Sequence, residues 1–212
     1  LAEFEPRLRA RPEQEITVFV CEKPALTELA GFEIYQGVLA IAKIPATPSL
    51  AEIFAASPSP RLFVAMDGLS NAENVGLLMR NCLAFGASAL IAGETCSRLF
   101  LRRTVRNSMG ALFKLPVLES ENLAQTLQAL RAKGIRCIAA HPHTDKKVLS
   151  QADFTGDCCI VVGSEGHGLS PAVLAACDEA VAIPMANAVD SLNVSVAAAI
   201  FLYEAVRQRG QS

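Results

Sequence analysis

The feature that most constrains this chain is a rhythm of short, unbroken apolar runs. "LFVAM" (62–66), "SALIAG" (88–93), "IRCIAA" (135–140), "CCIVVG" (158–163) and "EAVAIP" (179–184) are too short for helices. They also lack the strict apolar–polar alternation of a strand with one wet face. "LPVLE" (115–119) is a shorter candidate. Segments of helical period lie between them: 74–85, 122–134 ended by Gly134, 170–177, and 191–208 with Ser191 near its start. Apolar strands alternating with helices predict an α/β fold, a mainly parallel sheet covered by helices on both faces. Hydrophobic residues make up 51% of the 212 and tryptophan is absent, so the core must be built from aliphatics and alanine.

Upstream the rhythm differs. "ITVFV" (16–20) and "GVLAIAKI" (37–44) are strand candidates with room for a short helix between them. That piece is too small to bury a core alone, and it reads as the tail of another α/β domain. "ATPSLAEIFAASPSP" (46–60) reads as a linker holding at most a turn or two of helix. The chain begins at Leu1 rather than Met, so the natural start is expected to lie outside it.

A net charge of −2 argues against a strongly basic nucleic-acid binder, but not against a local patch. "RLFLRRTVR" (98–106) carries Arg98, Arg102, Arg103 and Arg106; a solvated face or helix end and a phosphate-binding patch both remain open. Seven cysteines without a C-x-x-C pair read as reduced thiols of a cytoplasmic protein. No membrane span or signal peptide is expected.

Three stretches carry candidate chemistry. In "NAENVGLLMR" (71–80), a helical wheel puts Val75, Leu78, Met79, Cys82, Leu83 and Phe85 toward the sheet. Arg80 falls opposite, between Gly76 and Ala84, on a face of small residues that a ligand or second chain can approach. Asn74 and Asn81 share a flank. In "VVGSEGHGLS" (161–170), a buried strand runs into a loop with Gly163, Gly166 and Gly168, at the sheet end where ligands usually bind. It matches neither the dinucleotide nor the P-loop pattern. In "IPMANAVDSLNVSVAAAI" (183–200), Ser191 and Asn193 place a hydroxyl and an amide at a helix start; Ser191 as N-cap is the simplest account. "HPH" (141–143) with Asp145 reads as a surface loop rather than a metal site, and Asp67 as a turn or cap residue. No metal is expected.

Together, "DGLSNAENVGLLMRNCLAFGA", "IVVGSEGHGLS" and "IPMANAVDSLNVSVAAAIFLYEA" resemble the three signature motifs of the SpoU (TrmH-type) RNA 2′-O-ribose methyltransferases of the SPOUT superfamily. "FEIYQGVLAIAKIP" looks like the end of the small substrate-binding domain that precedes them in many members. The resemblance implies a C-terminal trefoil knot, a homodimer, and S-adenosylmethionine held around Gly163, Gly168, Ile183, Met185 and Leu192. It implies catalytic and RNA-positioning roles for Asn74, Arg80, Glu165, Ser191 and Asn193, with Arg80 reaching toward the target ribose at or across the dimer interface. Glu165 is expected to orient Arg80 or a neighbouring loop. A guanidinium is a poor base near neutral pH, so Arg80 is expected to grip phosphate and stabilise alkoxide charge. Arg102, Arg103 and Arg106 become candidates for RNA phosphates. The domain layout is then 1–45 as a remnant of the RNA-recognition domain, 46–60 as linker and 61–212 as methyltransferase domain. Ribosomal RNA is the expected substrate; transfer RNA, a base-methylating relative and a non-catalytic RNA-binding or assembly factor are the alternatives.

Overall fold

Side chains alternate across a strand, so an unbroken apolar run must find cover on both sides. The computed structural model, which describes residues 5–10, 16–35, 37–143, 147–186 and 189–210, shows how this chain does so. Contacts divide it into two compact units, Leu1–Ile44 and Pro45–Ser212.

The first unit holds α1 (Glu5–Arg9) and α2 (Lys23–Ala30). The helix expected between the two strand candidates is α2. The strands themselves are absent: 16–22 and 38–44 form no ladder. Ile16, Val18, Phe19 and Val20 stay exposed, Phe19 at 88%. A strand exists only when a neighbour takes its hydrogen bonds, and the described residues of this unit supply none.

The second unit begins with α3 (Leu50–Ala56), started by a capping box between Ser49 and Glu52. Ile53 of α3 is buried in the core, so the 46–60 stretch does more than tether. Then follow β1 (Leu62–Asp67), α4 (Ala72–Ala84), β2 (Ala89–Ala92), α5 (Arg102–Asn107), β3 (Val117–Glu119), α6 (Leu123–Ala132), β4 (Arg136–Ala140), β5 (Cys158–Gly163), α7 (Pro171–Ala175), β6 (Glu179–Val181) and α8 (Val194–Gln208). The six strands form one sheet, ordered β3-β2-β1-β5-β4-β6, and every pairing is parallel.

Alternation sorts the core into two layers. Leu62, Val64, Met66, Leu90, Ile160 and Val162 pack with Val75, Leu78, Met79 and Cys82 of α4 and with Ala198, Phe201 and Leu202 of α8. Phe63, Ala65, Ile91, Cys159 and Val161 pack on the other face with Leu123, Leu127 and Leu130 of α6, Val173 of α7 and Ile53 of α3.

Several local expectations change. The helix expected from Asn74 starts at Ala72, because the Asn71 side chain accepts from the Glu73 and Asn74 amides. Leu83, expected in the core, is 36% exposed. The small-residue face of α4 is partly covered by this chain itself. A Cβ on Gly76 would lie 2.7 Å from the Asn107 Cβ and the Thr104 carbonyl oxygen, so α5 sits against α4 there. β6 ends at Val181 rather than Pro184, and α8 begins at Val194 with Asn193 as its cap, not Ser191. Cys82, Cys137, Cys158 and Cys159 are buried free thiols, but Cys21 is exposed. Burial pushes the Cys158 thiol up to about 11 and the Cys177 thiol up to about 12. Among the described residues no helix is long and apolar enough to cross a membrane.

Candidate active site

The site is built where β1 and β5 end side by side, with Asp67 paired to Gly163. Beyond Gly163 the chain turns back on itself. Ser164 and Gly168 exchange backbone hydrogen bonds of 3.1 and 2.9 Å. A Cβ on Gly163 would stand 2.3 Å from the Gly168 carbonyl carbon and 2.5 Å from the Leu169 nitrogen, so only glycine permits this fold-back. Asp67, expected to serve a turn or cap, instead accepts from the Ser170 backbone nitrogen at 2.7 Å and ties the loop's exit to β1.

The folded loop walls one side of a cavity of about 380 Å³. Gly163, Gly168, Ile183, Met185 and Leu192 all line it, as do Ser191 and Glu165. Val162, Val194 and Phe201 add apolar floor, and His141, Pro142 and His143 close it from the end of β4. Those histidines were expected to form an ordinary surface loop; their place on the wall depends on β4 lying next to β5, which no local pattern reveals. Asp145 lies outside the described residues. Among the described residues no cluster of three histidine, cysteine or acidic side chains is arranged to hold a metal.

Beside the cavity three segments meet at one side chain. Asn193 Nδ2 donates to Asn74 Oδ1 at 3.0 Å and to Glu165 Oε1 at 2.6 Å. Its Oδ1 accepts from the Ser195 backbone nitrogen at 3.0 Å and from the Ser195 hydroxyl at 2.5 Å. Asn81, on the same flank of α4 as Asn74, donates to the Ser195 carbonyl at 2.8 Å. The α4 start, the glycine loop and the α8 start are therefore locked together by neutral amides and one carboxylate. Asn71, Asn81 and Ser195 were missed as members; the Asn71 cap was legible, but the two contacts to α8 span 114 and 119 residues.

Arg80 is not part of this network. It is exposed on the outer side of α4 and makes no hydrogen bond or ion pair among the described residues. Glu165, expected to orient Arg80 or a neighbouring loop, is engaged by Asn193 at the start of α8. Asn74 is buried on α4 whereas Arg80, six residues on, is exposed. Arg102, Arg103 and Arg106 are exposed on α5, with Arg103 set 3.6 Å from Glu73.

This arrangement has close counterparts. Residues 61–203 match the SpoU rRNA methylase family. The chain belongs to that family. It is 34% identical over 203 residues to the 23S rRNA (guanosine-2′-O-)-methyltransferase RlmB of Ralstonia nicotianae, covering 95% of this chain and 81% of that protein. It is 37% identical to an uncharacterized tRNA/rRNA methyltransferase of Mycobacterium avium, covering 92% of this chain but only 63% of that protein. The SpoU methyltransferase AviRb of Streptomyces viridochromogenes, solved with its cofactor AdoMet, superposes with a TM-score of 0.71 at 33% identity, covering 79% of this chain and 67% of AviRb. As a SpoU chain, this one has the expected parallel sheet with helices on both faces. All three SpoU signature stretches converge at the C-terminal ends of β1, β5 and β6.

Proposed function

We propose that this chain is an S-adenosylmethionine-dependent RNA methyltransferase that modifies a ribose 2′-hydroxyl, in ribosomal RNA. The observation that carries this reading is the Asn193 junction, which fixes the three SpoU motifs beside a glycine-walled cavity.

The cavity suits the cofactor. Its roughly 380 Å³ falls within the ~300–1,000 Å³ of small-molecule sites. Gly163 lets the loop fold back, Gly166 and Gly168 leave open space where a ligand can approach backbone groups, and Ile183, Met185 and Leu192 offer apolar contact. Bound there, S-adenosylmethionine supplies a methyl group already activated by its sulfonium. The protein's task is then placement of the ribose oxygen, which contributes up to ~7–11 kcal/mol in well-oriented systems. Asn74 and Asn193 orient without adding charge, and Glu165 holds Asn193. Ser191 offers a hydroxyl at the cavity wall. Arg80 serves as a fork for phosphate and developing alkoxide charge rather than as a base, because a guanidinium is a poor proton acceptor near neutral pH.

Arg80 gains a site to serve if a second copy packs on the outer face of α4, where Leu77 and Leu83 are exposed beside it. A homodimer is therefore part of the proposal. So is the domain layout: residues 1–45 as the remnant of an RNA-recognition domain, 46–60 as its connection and 61–212 as the catalytic domain, working in the cytoplasm. Arg102, Arg103 and Arg106 are assigned to RNA phosphates.

The test uses the purified chain, radiolabelled S-adenosylmethionine, and ribosomal and transfer RNA free of methyl groups. Label should enter ribosomal RNA, remain on the ribose after nuclease digestion, and fall sharply with Arg80→Ala. Label in transfer RNA alone would move the substrate; no label in either would defeat the enzyme reading.

A further inference from the structure

The stretch 102–114 is one continuous run of turns. Met109 N donates to the Arg106 carbonyl, Ala111 N to Ser108 and Phe113 N to Gly110, at 3.2, 2.9 and 3.2 Å. Its inner side is fully committed: Thr104 and Ser108 are 0% exposed, and Ala111 and Leu112 are buried. Arg102, Arg103 and Arg106 are exposed on its first, helical part, and Met109 and Phe113 are exposed beyond the helix end, where the left-handed Met109 and Gly110 turn the chain. Met109 and Phe113 are 73% and 71% exposed, which no other large apolar side chain of the second unit matches among the described residues. Met109 also holds a φ of 49°, a left-handed conformation that a non-glycine residue seldom adopts. Ser108 before it and Ala111 after it are buried, while Met109 itself is exposed.

We propose that Met109 and Phe113 form a stacking ledge for an unpaired base of the substrate RNA, with Arg102, Arg103 and Arg106 taking the flanking phosphates. The inference rests on the RNA-methyltransferase reading above. Arginines alone suit any nucleic-acid backbone, and an apolar pair alone suits many partners. An exposed aromatic on the same short run of turns as three exposed arginines is the combination that single-stranded RNA uses, because each base has a face to stack and each phosphate a charge to neutralise. The Arg103–Glu73 pair is exposed on both sides and at 3.6 Å offers little resistance to a phosphate. The run that carries the ledge also packs on α4, the helix of Arg80. α5 touches α4 at Gly76, and Arg80 lies on the same face of α4, about 6 Å further along its axis. A strand held on the ledge can therefore reach Arg80.

The chain contains no tryptophan, so Phe113→Trp introduces a single fluorophore at the ledge. The variant is titrated with a single-stranded RNA oligonucleotide and with the duplex of the same sequence. Quenching by the single strand and little change with the duplex are expected. Phe113→Ala should weaken single-strand binding roughly ten-fold, Phe113→Tyr should restore it, and the salt dependence should stay as in the parent, since the arginines remain. Unquenched tryptophan with RNA bound, or Phe113→Ala binding within about two-fold of the parent, overturns the ledge. So does a change in oligomeric mass on Phe113→Ala, which would assign the surface to a second copy. Methyl transfer by the parent chain is followed in parallel: transfer without stacking defeats the ledge alone, whereas a parent chain that neither binds RNA nor transfers methyl defeats the underlying reading too.

Discussion

The two ends of the same sheet are built from different chemistry. At the N-terminal ends of β1 and β5, charge is used as a clamp. Asp157 accepts from the Ser59 hydroxyl at 2.6 Å, the Arg61 backbone nitrogen at 2.7 Å and Arg61 Nη1 at 2.7 Å. Arg209, just past α8, donates to the carbonyls of Phe154, Pro60, Arg61 and Gly156. At the C-terminal ends, glycine backbone, amides and the Glu165 carboxylate surround an open cavity, and Arg80 of α4 has no hydrogen-bond or ion-pair partner among the described residues. The difference teaches that this chain separates holding from acting. Changes at the clamp should cost stability and leave ligand binding alone, and changes at the cavity should do the reverse.

The sharpest attempt to break that separation is Asn193→Ala. It removes the donor that joins Asn74 to Glu165, and methyl transfer should fall by about 100-fold, as for loss of one preorganised donor. It also removes the α8 cap, at a cost of about 1 kcal/mol. Asn193→Asp keeps the cap acceptor but sets a carboxylate against Glu165. Asp should therefore restore much of the thermal stability while transfer stays low. If activity instead follows stability across the pair, the junction is only a helix cap.

Gly163→Ala is the next largest. The added methyl meets backbone at 2.3 to 2.5 Å, and backbone cannot rotate aside. The loop must shift, and affinity for S-adenosylhomocysteine by calorimetry should drop ten-fold or more, taking about 1–3 kcal/mol for overpacking. Unchanged affinity would mean that the glycine loop does not shape the cofactor site.

What the sequence disclosed follows the range of the forces involved. The apolar run 158–163 coincides with β5 because burial on both faces is written into consecutive residues. α5 went unseen because a six-residue helix with four exposed or half-buried polar positions leaves no apolar stripe; it is held by its fit against Gly76. The strand candidates at 16–20 and 37–44 have the right residues but no strand to pair with among the described residues. At the site, the three motifs were legible one by one. Their joining through Asn193 was not, since Glu165 lies 28 residues and Asn74 119 residues away. The way one segment passes another has no periodicity at all, so threading was open only to resemblance.

The smallest expected effect tests the clamp. Partial burial pushes the Asp157 carboxyl up, but hydrogen bonds from Ser59 and Arg61, with the Arg61 charge, outweigh it and hold the group below its ordinary value. A folded value below the unfolded one, ~3.9, means that the unfolded chain takes up the proton first. The contribution of Asp157 is then fully present above that pH and is lost as pH falls through the folded value. Asp157→Asn should lower stability by about 1–3 kcal/mol at neutral pH, where it leaves Arg61 without its carboxylate. In urea unfolding, the gap to the parent should narrow steadily once pH drops below about 4. A gap that stays constant across this range would show that packing, not charge, is what Asp157 supplies. Cofactor affinity at neutral pH should stay within about two-fold of the parent, because the clamp and the cavity stand at opposite ends of β1 and β5, and 1.4 kcal/mol of leakage between them would already appear as a ten-fold change.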